Sequence, residues 1–231
     1  SAGPVVERYQ VGASVEERAR RSRYGFLARV CRRSGARFAA VGHTRDDQVE
    51  TVLMRLLQGS DVEGMSGMRR CTGLPEAGDV AAAPGPSAGG PTTGQRSQGD
   101  PVTLIRPLLG LSREELRGYL ARRGVSYIDD PSNTDTRYLR NAVRRDILPA
   151  VQQHFPGYAP AVSRSAGKLA EVSDFLEQQL ASAEADLWNA ETGPNGDLAA
   201  LYADRTAFFE LPGALRRRLL YRAFDRLGPT R

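Results

Sequence analysis

Gly42-His43-Thr44-Arg45-Asp46-Asp47-Gln48-Val49-Glu50-Thr51 is the stretch whose reading decides the rest. It follows the apolar run Phe38-Ala39-Ala40-Val41, which reads as a buried strand ended by Gly42. It leads into Val49, Val52, Leu53, Leu56 and Leu57, spaced i, i+3, i+4, i+7 and i+8. That is the stripe of a helix facing a core, stopped at Gly59. Open α/β sheets place their ligands outside the carboxyl ends of strands, where such helices begin. Thr44 suits the N-cap, which puts Asp46 and Asp47 in the first helical turn. Two readings stay open there. Carboxylates in a first turn complement the helix dipole and simply stabilise it. Yet two adjacent Asp, a His just before and a Glu one turn on exceed what capping needs. Beside a triphosphate they would repel it unless a hard cation such as magnesium lay between.

Upstream, residues 15–34 read as a helix with Ala19, Tyr24, Leu27 and Cys31 among its apolar positions, a Ser14/Glu17 capping box and Gly35 as stop. Its arginines 18, 20, 21 and 23 cannot all face a core, so some meet solvent or phosphate. Downstream, residues 102–106 predict a strand halted by Pro107. Ser112 and Glu115 form a second capping box, opening a helix that stops at Gly124. Residues 125–128 suit a further short strand, residues 129–133 a turn, and residues 136–148 a helix closed by Pro149. On that helix Arg137, Arg140, Asn141 and Arg144 share one polar stripe. They would hold phosphates by forked hydrogen bonds, or form a solvated face paired with Asp135 and Asp146.

Alternating helices and strands over residues 1–150 predict an α/β domain. Residues 151–231 read as a separate small all-helical domain, with helices near 159–190 and 211–227. Residues 72–101 hold seven Gly and five Pro and few bulky apolar side chains, so they read as a disordered surface insertion interrupting the first domain.

Composition narrows the class. With 40% hydrophobic and 26% charged residues among 231, the chain is ordinary globular protein, not a fibrous or wholly disordered one. No apolar run nears the ~20 residues that span a bilayer, and no secretory signal opens the chain, so no membrane partner is expected. Two Cys and two His exclude a disulfide framework and point any metal toward oxygen ligands, in a reducing cytoplasm. His154, beside Phe155-Pro156, reads as a surface or packing histidine. The net charge of +5 is uneven: +5 over residues 1–71, −2 over 72–101, +3 over 102–150 and −1 over 151–231. A basic unit split by the insertion suits a polyanion such as RNA or a nucleotide, or is a solvated face. Only Lys168 is a lysine, so the arginine count alone says little about phosphate.

Together these clusters resemble the tRNA(Ile)-lysidine synthetases, a branch of the ATP pyrophosphatases (PP-loop enzymes). The resemblance rests on Ala19-Arg20 with Arg23-Tyr24, His43 through Thr51, Leu53 through Met68, Arg106-Pro107-Leu108-Leu109, Asp130-Pro131-Ser132-Asn133, Arg140-Asn141 with Arg144, and Leu148-Pro149. Asp-Pro-Ser-Asn followed by Arg-Asn-x-x-Arg makes it specific. It implies a Rossmann-like parallel sheet of the adenine nucleotide alpha hydrolase type and a two-step ligase. ATP adenylates C2 of the wobble cytidine in tRNA(Ile), and the amine of free lysine displaces AMP. It also implies Asp46 and Asp47 near magnesium, phosphate or the lysine amine, His43 as a polar partner at the strand end, and Arg20, Arg23, Arg140 and Arg144 facing phosphates or tRNA. A homodimer is compatible with it.

Departures stand beside the resemblance. The phosphate loop Ser-Gly-Gly-x-Asp-Ser is not among these residues, and Ser87-Ala88-Gly89-Gly90 lacks its Asp-Ser. Arg45 stands where the family often has a small residue. The chain therefore reads as a fragment cut at both ends, inactive alone. A non-catalytic tRNA-binding remnant and a related cytidine thiolase are the alternatives.

Overall fold

Three short strands, β1 (Phe38–Ala40), β2 (Cys71–Gly73) and β3 (Thr103–Ile105), form a sheet in the order β1-β3-β2. They belong to a computed structural model that describes residues 15–74, 102–128, 139–193 and 198–227. β1 runs parallel to β3, with Ala39 opposite Leu104; β2 runs antiparallel, with Thr72 opposite Leu104. The sheet is therefore mixed, where the resemblance implied a parallel one. Helix α1 (Val15–Ser34) covers it through Tyr24, Ala28 and Cys31, which recur at i, i+4 and i+7 and bury against Ala39, Leu74, Val102 and Leu104. Leu104, on the central strand, is 1% exposed.

The edge strand corrects one boundary. Thr72 and Gly73, assigned to the insertion, lie in the sheet. Leu74 is buried, its N–H donating to Val102 O at 2.7 Å. What makes these residues a strand is β3, thirty residues later in the chain, and local composition carries no trace of it. The rest of the insertion, the Ser14/Glu17 cap and the turn at 129–133 lie outside the described residues. Residues 125–128 form no strand. Gly124, at φ 64°, instead turns the chain out of α4 (Arg113–Arg123), and the Val125 N–H returns to Leu120 O.

Two compact units divide the chain: Ser1–Gln48 with Met68–Thr136, and Val49–Gly67 with Arg137–Arg231. Helix α2 (Arg45–Leu57) starts in the first and continues in the second. Of its apolar stripe, Val49 and Val52 are buried and Leu53 packs half-buried against the same core as Val49, but Leu56 and Leu57 are 55% and 65% exposed, so the last turn leaves the core. Gly59, at φ 74°, ends α2 with the Ser60 N–H bonded to Arg55 O and its own N–H to Leu56 O. The short helix α3 (Val62–Met65) follows.

The second unit differs from its sequence reading at two places. The helix expected to close at Pro149 runs on through α5 (Leu139–Ala142), a π-helical turn (Val143–Ile147) and α6 (Leu148–His154). Pro149 sits in the first turn of α6, where its missing N–H costs nothing, and the widened turn bonds the Leu148 N–H to Val143 O. Val143 and Leu148 pack with Val49 and, across the expected boundary at residue 150, with Tyr158, Ala159 and Val162. After the thirty-residue α7 (Tyr158–Leu187) the chain forms an antiparallel ribbon, β4 (Trp188–Thr192) with β5 (Leu198–Ala203), before α8 (Arg205–Glu210) and α9 (Gly213–Leu227). The all-helical expectation fails at this ribbon. Leu180, Leu187 and Leu219 form the core that joins α7, the ribbon and α9. Arg218 and Arg222 of α9 pair with Glu177, and Arg222 also with Glu184, on α7.

Candidate functional site

α2 begins at Arg45, so Thr44 is its N-cap. Asp47, three residues on, completes a capping box: Thr44 donates to Asp47 Oδ2 from its backbone N (2.8 Å) and its hydroxyl (2.7 Å). Arg113, the first residue of α4, then reaches both acids. Its backbone N donates to Asp46 Oδ2 at 2.8 Å, and its guanidinium Nη2 to Asp47 Oδ1 at 2.5 Å. Arg45 pairs with Glu115 at 2.7 Å, and its N–H donates to Leu111 O. Two helix starts are thus stitched together, and both oxygens of Asp47 are spent on protein donors.

That geometry separates the two acids chemically. Among the described residues Asp46 accepts a hydrogen bond on Oδ2 only, which leaves Oδ1 for a ligand. No three His, Cys, Asp or Glu side chains come together as a metal cage among the described residues. A hard cation that takes one carboxylate oxygen from the protein and the rest from phosphates and water fits this arrangement.

His43 stands beside this turn, half-buried, with Nδ1 accepting from Arg106 Nε at 3.3 Å. The neutral ring therefore carries its proton on Nε2. Arg106 follows β3 and is 2% exposed. Its Nη1 donates to Arg69 O (2.8 Å) and Thr72 Oγ1 (3.1 Å), both neutral acceptors. Burial pushes its pKa below the usual arginine range; the nearby Tyr24 hydroxyl works against that shift and Arg20 adds to it. The Arg20 guanidinium lies 4.9 Å from the centre of the Tyr24 ring. His43, Asp46, Asp47 and Arg20 thus all belong to the first unit, with Arg113 and Arg106 as members that sequence reading missed.

Arg140 and Arg144 belong to the second unit, and their partner there was not foreseen either. Glu50, on α2, is 0% exposed. Its Oε2 accepts from Arg140 Nε at 2.7 Å and from Arg144 Nη2 at 3.0 Å, and its Oε1 from Arg144 Nε at 2.8 Å. Arg140 Nη2 also donates to Thr51 Oγ1 at 3.3 Å. The two arginines are about 30% exposed at the side chain, so the cluster has a buried floor and an open rim. Asp146, an expected partner of the arginine stripe, pairs with Arg145 instead. Arg23 is exposed on α1. Arg137 and Asp130 through Asn133 lie outside the described residues.

A family model for the PP-loop domain matches residues 5–151. The tRNA(Ile)-lysidine synthase of Ralstonia nicotianae is 35% identical over 188 residues, 81% of this chain and 34% of that protein. The tRNA(Ile)-lysidine synthase of Thermus thermophilus is 36% identical over 217 residues, 94% of this chain and 35% of that protein. That of a Bradyrhizobium species is 33% identical over 222 residues, 94% of this chain and 54% of that protein. The chain spans about a third to a half of the length of these relatives. Among solved structures, the U34-tRNA thiolase NcsA of Methanococcus maripaludis is similar at 18% identity and TM-score 0.47, over 70% of this chain and 45% of that one.

Proposed function

This chain belongs to the PP-loop domain family, and on that premise we propose that it is part of an ATP-dependent ligase that joins free lysine to the wobble cytidine of tRNA(Ile). The observation that carries the proposal is the 33–36% identity to tRNA(Ile)-lysidine synthases over 81–94% of the chain. The first unit supplies the ATP-facing groups. Asp46 offers a carboxylate oxygen to magnesium, which when bound would neutralise phosphate charge. Asp47 and Arg113 hold Asp46's turn in place rather than touching metal. His43 presents Nε2–H as a donor, fixed by its bond to Arg106. Arg106 puts a buried positive charge among neutral acceptors, where an anionic group of a substrate gains most from it. Arg20, Arg23, Arg140 and Arg144 face phosphates of ATP or tRNA. tRNA(Ile) and lysine are the partners in this reading, with a cytoplasmic setting and a homodimer as parts of it.

The test is lysine incorporation into tRNA(Ile) with ATP and magnesium. A protein carrying this chain together with a Ser-Gly-Gly-x-Asp-Ser segment incorporates lysine; the 231 residues alone do not, because the amides that would hold the phosphates in line belong to that segment. In the active form Asp46→Asn lowers turnover at least ~100-fold, the scale of losing one transition-state contact to charge, and leaves tRNA affinity unchanged. Lysine incorporation undiminished by Asp46→Asn sinks the assignment of Asp46.

A further inference from the structure

We infer that the outer face of α9, together with Phe209 of α8, binds an unpaired strand of RNA: bases stack on its exposed rings, and phosphates meet Arg205, Arg216 and Arg217. It rests on the reading above in taking RNA as what the chain handles, and every residue in it belongs to the second compact unit.

α9 sorts its arginines. Arg218 and Arg222, one turn apart, are neutralised by Glu177 and Glu184 of α7, and Arg218 also by Asp61. Arg216 is held differently. Its guanidinium carbon lies 5.3 Å from the centre of the Phe209 ring, and that of Arg205 lies 5.8 Å from the same centre. Among the described residues, the side chains of Arg205, Arg216 and Arg217 take part in no hydrogen bond or ion pair, and Arg216 Nε is buried without a partner. A ring orients a guanidinium without cancelling its charge or spending its N–H donors, as a carboxylate would. Glu210 is the one acid in residues 205–224, against these three arginines and the two that α7 neutralises.

Aromatic side chains interleave with those cations. Tyr221 follows Arg217 by four residues and Phe224 follows Arg216 by eight, so one side of α9 carries all four. Phe209, Tyr221 and Phe224 are each more than half exposed. Phe208, edge-on to Phe209 with ring centres 5.5 Å apart, packs into the core of Leu180, Leu187 and Leu219 and so fixes where Phe209 stands. A cluster of exposed rings marks an interaction face, and arginines that keep their charge make it one for an anion. A single strand of RNA matches both halves, with base faces for the rings and phosphates for the cations. A duplex keeps its base faces inside the stack. A second copy of this face would set arginine against arginine.

The experiment measures binding of the 231-residue chain to a twelve-nucleotide single-stranded RNA, and to the same sequence as a duplex, across 50–200 mM salt. Melting and oligomeric state of each variant are recorded alongside. Phe209→Leu, which stays apolar and loses the ring, should weaken single-strand binding at least about fivefold, the loss of one stacked base. Duplex binding should change less than about twofold, and Phe209→Tyr should keep the affinity of the unsubstituted chain for the single strand. Arg205→Gln and Arg216→Gln should each lower the slope against log salt by about 0.7, one phosphate contact of a single strand. They keep the test open if Phe209→Leu does not fold.

Single-strand binding unchanged in Phe209→Leu overturns the inference, as do equal weakening for strand and duplex, slopes unchanged in both arginine variants, or no binding of the strand at 50 mM salt. A chain that self-associates and turns monomeric in Phe209→Leu, with its RNA affinity unchanged, has an interface between copies here and overturns it too. The reading of the reaction fails separately. An otherwise complete form that grips the strand through Phe209 yet adds no lysine to tRNA(Ile) keeps this face as an RNA site and removes lysidine formation.

Discussion

Helix α2 carries two clusters of carboxylate and guanidinium, and they are built on opposite plans. In its first turn Asp47 accepts two hydrogen bonds from Thr44 and one from Arg113, with the acid 16% and the arginine 31% exposed at the side chain. One turn on, Glu50 is 0% exposed and answers to two arginines some ninety residues away in sequence. The first acid is stabilised chiefly by its own helix start, where amides and dipole favour a negative charge. The second has left water entirely, and Arg140 and Arg144 offset that desolvation. A carboxylate served by its own backbone is replaceable; one served by distant cations is not.

The contrast is sharpest in stability. Removing one partner of a buried ion pair strands the others, at about 3–5 kcal/mol, so Glu50→Ala should be the most damaging single change in either cluster. Urea unfolding should show it as a lower midpoint, with loss concentrated in the unit of residues 49–67 and 137–231. A loss below about 1 kcal/mol would mean that water reaches the cluster freely and that the two plans are the same after all.

Asp47→Asn is expected to cost about 1 kcal/mol, the scale of a cap together with a partly exposed ion pair. Arg113→Ala should cost less, since the backbone N–H of residue 113 still serves Asp46. Combined, the two changes should cost less than their sum, because each removes the same contact between Arg113 and Asp47. Strict additivity would place the worth of Asp47 wholly in its bonds to Thr44.

The same contrast explains what the sequence revealed. Thr44 as an N-cap, Ser112 with Glu115, and the stops at Gly59 and Gly124 were legible because each signal lies within a few residues. β1, α1, α2 and α4 were legible by periodicity and punctuation. Strand β2 was not: Cys71-Thr72-Gly73 is too short to show a period, and only pairing with β3 makes it a strand. The ribbon β4–β5 did leave a signal, since Gly193-Pro194-Asn195-Gly196-Asp197 is strong turn chemistry between runs holding Trp188 and Tyr202. Helical spacing in α7, continued past Leu187, hid it. Within the site, Asp46, Asp47 and His43 stood out by adjacency. Glu50's two arginines, and the hold of Arg113 on both aspartates, needed the fold to bring distant segments together.

Glu115 gives the smallest effect and the cleanest probe of the local plan, because it is a capping-box acid on the surface with no buried partner. Ser112 N donates to Glu115 Oε2 at 2.6 Å, and Glu115 N donates to Ser112 Oγ at 3.1 Å. Bonds from the Ser112 backbone first and then from the Ser112 side chain, with a lesser contribution from Arg45, hold the carboxyl below its usual range. A folded pKa below the unfolded one means that the charged form favours the fold. The contribution is therefore complete above the ordinary glutamate pKa and is lost as pH falls through the lower folded value. Glu115→Gln keeps the size and one acceptor oxygen but never ionises. Its melting temperature should lie slightly below that of the unsubstituted chain from pH 7 down to about 5, and the gap should close below about pH 4 as Glu115 takes up its proton. A gap of the same width at about pH 3.5 would show that shape and hydrogen bonding, not charge, carry this cap. The local half of the comparison would then lose its electrostatic basis, while the buried half at Glu50 would keep its own.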